Sequence, residues 1–312
     1  FKRIYLMKIL FAGSPHSSAQ ILGAMSAMDL QIIGVISQPD KRSKRAKGEE
    51  PSHVSSEAAR LGIPLYKPKT IDEKFKAEIL KLNYDFLVVS AYGKILPDWL
   101  LDSPRISPIN IHFSLLPKYR GASPIQAAIL NGDAETGISI MKMTAGMDEG
   151  PVYSFHRQEI LASDNKDTLE KKLTSLCISN IKDDLKRIYT KELIAKDQSS
   201  NNIYYCKKIG KLSGEIKFSE EKNSEIMQKH KAYLGWPGVF FSKNNLMIKI
   251  HGLADHKAVD GEPATKKFNF TDKGLVVKTM DSFVVITHLQ FPGKRIISSL
   301  DAANSHASFF EE

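Results

Sequence analysis

Asn110, His112 and Asp148 have the side-chain types that acyl transfer to an amine requires. The first two sit two residues apart in INIHFSLLP (109–117), and Asp148 lies in GMDEG between Gly146 and Gly150. An attacking amine must lose a proton, and the carbonyl oxygen it attacks must be stabilised as it becomes an oxyanion. The imidazole that takes the proton must be oriented and its charge balanced. His112 is thus a candidate base, Asn110 a candidate oxyanion donor and Asp148 a candidate orienting carboxylate. In a strand, alternate residues share a face, so Asn110 and His112 point one way while Ile109 and Ile111 point to the core. Taken alone, such a pair is more often the wet side of an edge strand, and a turn aspartate more often holds its own backbone. The following residues shift that balance. SLLPKYRGASPIQAAI supplies Ser114, Pro117, Arg120, Gly121 and Pro124 before a helix expected from about Ser123, so the strand ends in an ordered loop over a helix N-terminus. LVVSAYG lacks the G-x-S-x-G elbow, so direct transfer is expected rather than a covalent acyl-enzyme.

The elements that must position these residues follow from periodicity. From Met7 to about Ile140, strand-like runs (KILFAG, LQIIGVIS, IPLY, YDFLVVSAYG, SPINIHF) alternate with helical patterns (SAQILGAMSAM, HVSSEAARLG, IDEKFKAEILKL). This predicts an α/β domain with an open, mainly parallel sheet and helices on both faces, whose ligands bind at the carboxyl ends of the strands. Gly13-Ser14-Pro15 is not the three-glycine fingerprint of an ordinary dinucleotide site. A hairpin is expected around Gly146 to Pro151, then a long amphipathic helix from Asp164 or Asp167, and TKELIAKDQSSNN reads as a linker. GEIKF, GVFFSK, LMIKIHGLA, GLVVKTMD and SFVVITHLQF read as the short strands of a small β-barrel, with Trp236 packing its start rather than stacking a base. The expected organisation is an extension over 1–6, a first domain over 7–190, a linker over 191–208 and an all-β domain over 209–312.

A chain of 312 residues, 42% of them hydrophobic, can bury a sizeable core. No apolar run reaches the roughly 18 residues of a membrane span, so no membrane partner is expected. Cys177 and Cys206 are too few for a disulfide framework or a zinc knuckle, which points to a reducing, cytoplasmic setting. His16, His53, His156, His251 and His288 lack ligand spacing, and no catalytic metal is expected. The net charge of +9 points to an anionic partner. QPDKRSKRAKGEE packs Lys41, Arg42, Lys44, Arg45 and Lys47 into one loop at the carboxyl end of the second strand. Charge runs are usually solvated loops, but on this rim the run is placed to grip phosphates, and a lysine-bearing barrel adds to that reading.

Together, FAGSP, QPD with its basic loop, VVSAYGKILP, INIHFSLLPKYRGASPIQAAILNGDAETGISIM and GMDEG resemble the formyltetrahydrofolate-dependent formyltransferases, from Met7 to about Phe310. Within them, the basic loop and the barrel select the methionyl-tRNA formyltransferase family, since relatives acting on glycinamide ribonucleotide lack both. The resemblance implies a Rossmann-like domain followed by an OB-like one. It also implies transfer of formyl from 10-formyltetrahydrofolate to the amino group of methionyl initiator tRNA, for translation initiation, by a monomer. The family's catalytic asparagine, histidine and aspartate fall on Asn110, His112 and Asp148. Its folate loop falls on Ser114, Leu115, Leu116 and Pro117, with Ala91, Tyr92, Gly93, Ile95 and Leu96 lining the same pocket. Its tRNA-gripping loop falls on Lys41, Arg42, Lys44, Arg45 and Lys47, where Arg45 matches the important basic residue best. Phe113 stands where many members carry a small residue, Tyr119 where they carry tryptophan, and Ser43 and Ala46 replace flexible or turn residues. Two other readings are a formyltransferase acting on an amino-sugar nucleotide, which would not need the five charges of the loop, and a non-catalytic RNA-binding protein that keeps the fold.

Overall fold

The computed structural model describes residues 6–42, 48–256 and 267–311. Continuous apolar runs need cover on both faces, and the N-terminal half provides it by alternating strands with helices. β1 (Lys8–Gly13) turns through Ser14 into α1 (His16–Ser26), and β2 (Gln31–Ile36) returns parallel to β1. A short ribbon, β3 (Lys41–Arg42) with β4 (Glu49–Glu50), leads to α2 (His53–Leu61) and β5 (Leu65–Tyr66). Then come α3 (Glu73–Ile79), β6 (Phe86–Ser90), α4 (Asp98–Leu101) and β7 (Ser107–His112). Ser52 caps α2 by accepting the Ser55 N–H at 3.0 Å and Asp72 caps α3 by accepting the Phe75 N–H at 2.9 Å, each stabilising its helix by about 1 kcal/mol.

The chain continues as β8 (Arg120–Gly121), α5 (Pro124–Leu130), β9 (Glu135–Lys142), β10 (Val152–Glu159), α6 (Lys166–Tyr189) and β11 (Tyr205–Cys206). The main sheet has the order β10-β9-β7-β6-β1-β2-β5, parallel except for β9 and β10. This is a Rossmann-like, mainly parallel sheet. On one face Leu10, Ala12, Leu87 and Val89 pack with Phe75 and Ile79 of α3 and Leu100 and Leu101 of α4. On the other, Phe86 meets Tyr189 of α6, ring centres 6.5 Å apart, and Ser17 of α1 donates to Glu170 of α6 at 2.8 Å. β7 lies between β6 and β9, so its polar residues do not belong to an edge strand.

The chain forms two compact units: Phe1–Pro124, Ala134–Ile160 and Thr168–Cys206 in one, and Ile125–Asp133, Leu161–Asp167 and Lys207–Glu312 in the other. The stretch read from the sequence as a linker lies largely within the first. Lys196 and Val152 exchange both backbone hydrogen bonds, and β11 pairs in parallel with β8.

In the second unit a 3-10 turn (Lys211–Gly214) precedes α7 (Asn223–Ala232), β12 (Val239–Lys243), β13 (Leu246–Asp255), β14 (Phe268–Thr271), β15 (Gly274–Lys278), β16 (Phe283–Gln290), β17 (Ile296–Ser298) and α8 (Ser299–Phe310). The strands form an antiparallel sheet of order β12-β13-β16-β15-β14 with β17 on β16, and register shifts around Gly252 curve β13 in the manner of an OB-like barrel. Two sequence expectations are corrected here. GEIKF makes one bridge, Glu215 to Phe240, instead of a strand, because its leading Gly214 crosses Gly238 so closely that a Cβ would lie 1.9 Å from that carbonyl oxygen. Trp236 does not pack the start of the sheet. Its turn is bent by Gly235 and Gly238 at φ +80° and +75°, and its side chain is 58% exposed. Among the described residues no helix is long and apolar enough to cross a membrane.

Candidate active site

β7 delivers Asn110 and His112 to the carboxyl edge of the sheet, where β9 sets Met141 opposite the first and Ser139 opposite the second. Asp148 arrives from the β9–β10 connection at φ +53°, a left-handed conformation that aspartate tolerates better than most residues. The three side chains meet. Asn110 Nδ2 donates to Asp148 Oδ1 at 3.1 Å, the Gly121 N–H donates to Oδ2 at 2.8 Å, and His112 Nδ1 stands 3.6 Å from the same Oδ2. His112 is buried, and its Nε2 lies 2.9 Å from the Tyr119 carbonyl oxygen. A carbonyl can only accept, so Nε2 carries the hydrogen and Nδ1 is the nitrogen left to take up a proton.

The loop after β7 is held from both sides. Ser139 Oγ donates to the Ser114 carbonyl at 2.6 Å and accepts the Leu116 N–H at 3.0 Å, while Ser114 Oγ donates to the Lys118 carbonyl at 2.6 Å. Gly121 has to be glycine twice over: its φ is +111°, and a Cβ would lie 2.4 Å from the Cys206 carbonyl oxygen. Tyr119, at φ +62°, turns its carbonyl toward His112 while its ring meets Tyr204 edge-on at 5.5 Å. Neither cysteine suits a nucleophile's role, since burial pushes both the Cys177 and the Cys206 thiol up. Two side chains that the sequence did not single out for the site, Gln198 and Tyr205, reach the Asp148 turn together with Arg120. Neither stands in a motif or a periodic pattern, so no local signal marked them.

β6 and β7 pair in parallel with Val89 beside Asn110, so the loops at 91–96 and 113–117 leave the same sheet edge. Of the folate residues expected from the sequence, Ser114 and Leu116 are buried and Leu115 and Pro117 half-buried. Ala91 and Gly93 are exposed at positive φ and Ile95 is 92% exposed, whereas Leu96 belongs to the apolar core. Ala91, Tyr92 and Gly93 also line a cleft of about 570 Å³ with Ser14, Gln38 and His53, and Lys41 stands on its wall. Gln38 Nε2 and Ser14 Oγ both donate to the Tyr92 carbonyl, at 2.8 and 3.2 Å. The Tyr92 hydroxyl is pushed up to about 12 by burial and so stays protonated. Lys41 and Arg42 face Glu50 and Glu49 across the β3–β4 ribbon, while Lys44, Arg45 and Lys47 lie outside the described residues. Among the described residues no group of three or more His, Cys, Asp and Glu side chains is placed to hold a metal ion.

Comparison with known proteins agrees in both halves of the chain. Residues 7–179 match the Formyl transferase family, and residues 208–307 match the Formyl transferase, C-terminal domain family. The chain is 37% identical over 295 residues to a methionyl-tRNA formyltransferase of Kosmotoga olearia, covering 94% of each. It is 35% identical over 308 residues to one of a Sulfurihydrogenibium species, covering 96% of this chain and 97% of the relative. Among solved structures, an N-formyltransferase from Helicobacter canadensis in complex with folinic acid and dTDP-3-aminofucose superposes with a TM-score of 0.66. That match covers 90% of this chain and 99% of the other at 19% identity, a likeness of fold.

Proposed function

The chain belongs to the formyl transferase family, and we propose that it transfers formyl from 10-formyltetrahydrofolate to the amino group of methionyl initiator tRNA, the activity of a methionyl-tRNA formyltransferase. The observation that carries the mechanism is the convergence of the Asn110 amide, the His112 Nδ1 and the Asp148 carboxylate at one sheet edge. The amine nitrogen attacks the formyl carbon and the carbonyl electron pair moves onto oxygen, giving a tetrahedral intermediate. Asn110 Nδ2 has two hydrogens; one goes to Asp148, and the other exchanges its weak contact with Met141 Sδ, at 4.0 Å, for that oxyanion. His112 takes the amine proton on Nδ1, directly or through a water molecule. Asp148 Oδ2, held in place by the Gly121 N–H, stabilises the resulting imidazolium across 3.6 Å. Collapse breaks the bond to the folate nitrogen, which leaves with a proton as tetrahydrofolate.

In this reading the ordered 114–117 loop and the 91–96 loop hold the folate, with exposed Ile95 offering it an apolar surface. The cleft that Ala91, Tyr92 and Gly93 of this loop share with Ser14, Gln38 and His53 receives the aminoacyl end beside the folate, and Lys41, on the same wall, opens the basic run that grips tRNA phosphates. Two buried thiols fit a reducing, cytoplasmic compartment. The test is formylation of Met-tRNA with 10-formyltetrahydrofolate by the wild type, His112→Ala and Arg45→Ala. His112→Ala should bind tRNA but lose turnover by on the order of 10² or more, and Arg45→Ala should lose tRNA binding first. An active wild type with an unimpaired His112→Ala would remove the base from the mechanism. Transfer to an amino-sugar nucleotide in place of Met-tRNA would replace the acceptor.

A further inference from the structure

Gln198 stands in the polar stretch 190–202, which carries no motif, yet its side chain is the centre of a network over the Asp148 turn. Its Nε2 donates to the carbonyl oxygens of Asp148 at 2.7 Å and Gly150 at 2.8 Å. Its Oε1 accepts from Arg120 Nε at 3.0 Å and Nη2 at 2.9 Å. Both amide hydrogens and both oxygen lone pairs are therefore engaged, which leaves the side chain a single orientation. Arg120 is buried, and its Nη1 donates to the Tyr205 hydroxyl at 3.1 Å, which donates in turn to Glu149 Oε1 at 2.7 Å. Asp148, Glu149 and Gly150 are thus each held by the segment around β11, Glu149 also facing Arg120 at 3.6 Å. The same segment, through β11 and β8, sets the Gly121 N–H that holds the Asp148 carboxylate.

Asp148 needs such support. A non-glycine residue at positive φ is strained by about 1–3 kcal/mol and persists only where its surroundings over-determine it. Its carboxylate must also stay near His112 Nδ1, and a misplacement of about 1 Å can cost on the order of 10² in rate. We propose that Gln198 is a positioning residue for formyl transfer: with Arg120 it fixes the backbone of the Asp148 turn and so the distance from the carboxylate to His112. It touches no reacting atom, and the inference rests on the role of Asp148 proposed above.

The experiment is single-turnover formylation by full-length Gln198→Met, Gln198→Glu, Asp148→Asn and the Gln198→Met/Asp148→Asn pair, with a thermal melt of each. Methionine keeps the length of glutamine without its polar atoms. Glutamate still accepts from Arg120 but cannot donate to the two carbonyls, so it should not rescue. Gln198→Glu, which keeps the acceptor of Arg120, should melt near the wild type, and Gln198→Met, which leaves the buried guanidinium without it, somewhat lower; both should lose about 10- to 100-fold in kcat and keep KM for folate and tRNA within about twofold. Because Gln198 acts through Asp148, its substitution should add less than about twofold to the loss in the Asp148→Asn background. Full kcat in Gln198→Met beside an impaired Asp148→Asn overturns the positioning role alone, as does a loss that multiplies in the pair. A loss that appears only in KM, or only together with a lowered melting temperature in both variants, also overturns it. Full turnover in Asp148→Asn overturns the role of the carboxylate and this inference with it.

Discussion

With Nε2 of His112 donating to the Tyr119 carbonyl, protonation of the ring occurs at one atom, and that atom faces a carboxylate. Asp148→Asn keeps the size of the side chain but removes the charge and one of two acceptor oxygens, so the imidazolium loses its counter-charge and either the Asn110 amide or the Gly121 N–H loses its acceptor. Turnover should fall on the order of 10² or more, with a drop in melting temperature equivalent to about 1 kcal/mol, measured by formylation rate and calorimetry on the same sample. Gly121→Ala should fail differently. A Cβ there meets the Cys206 carbonyl at 2.4 Å and sits on a backbone at φ +111°, so the β8–β11 contact must open and the Gly121 N–H leave Asp148. Both the rate and the melting temperature should fall, the second by the equivalent of about 1–3 kcal/mol. The types and spacing of Asn110, His112 and Asp148 were legible in the sequence as those that acyl transfer would demand, and the fold brings the three side chains together. The backbone donors and acceptors that complete the site were not, since every residue has an N–H and a carbonyl and only folding selects which are used.

At the scale of elements, legibility followed the number of residues that repeat a pattern. KILFAG, LQIIGVIS and SPINIHF are runs long enough for apolar continuity to specify strands, and they form β1, β2 and β7. β8 and β11 are two residues each and exist only because distant segments pair, so TKELIAKDQSSNN, though polar and unpatterned, leads into an ordered part of the first unit. α7 shows how an unremarked helix can set a pH limit. Burial pushes His230 below its ordinary value of 6.5, against a smaller upward pull from a backbone hydrogen bond of His251, with the charges of His251 and Lys231 adding to the depression. The folded state then holds the ring neutral, whereas the unfolded chain takes up a proton as pH falls through 6.5. The buried ring therefore costs nothing in protonation above that pH, and stability falls as pH drops from 6.5 toward the lower folded value. Melts between pH 7.5 and 5.5 should drop more steeply for the wild type than for His230→Gln. Parallel curves would show that another group governs the acid side.

For the whole molecule, the dominant long-range property is a net charge of +9, with five cations between Lys41 and Lys47. Composition pointed to an anionic partner, but charge alone could not separate a polynucleotide from a small phosphate ester. Salt can. A chain that neutralises several phosphates releases a counterion for each, so its affinity falls as a power of salt concentration, whereas a nucleotide-sized ligand gives a shallow dependence. Binding of Met-tRNA should therefore weaken by about 10² or more between 50 and 200 mM salt if several phosphates are gripped, with folate binding nearly constant. Arg45→Ala should reduce the slope of log affinity against log salt by about one if that side chain meets a phosphate, and Lys41→Ala should do the same from the cleft wall. The two losses should add, because each removes a separate counterion. A flat salt response in the wild type would mean that the run between Lys41 and Lys47 is a solvated loop and that the acceptor is held by the cleft alone.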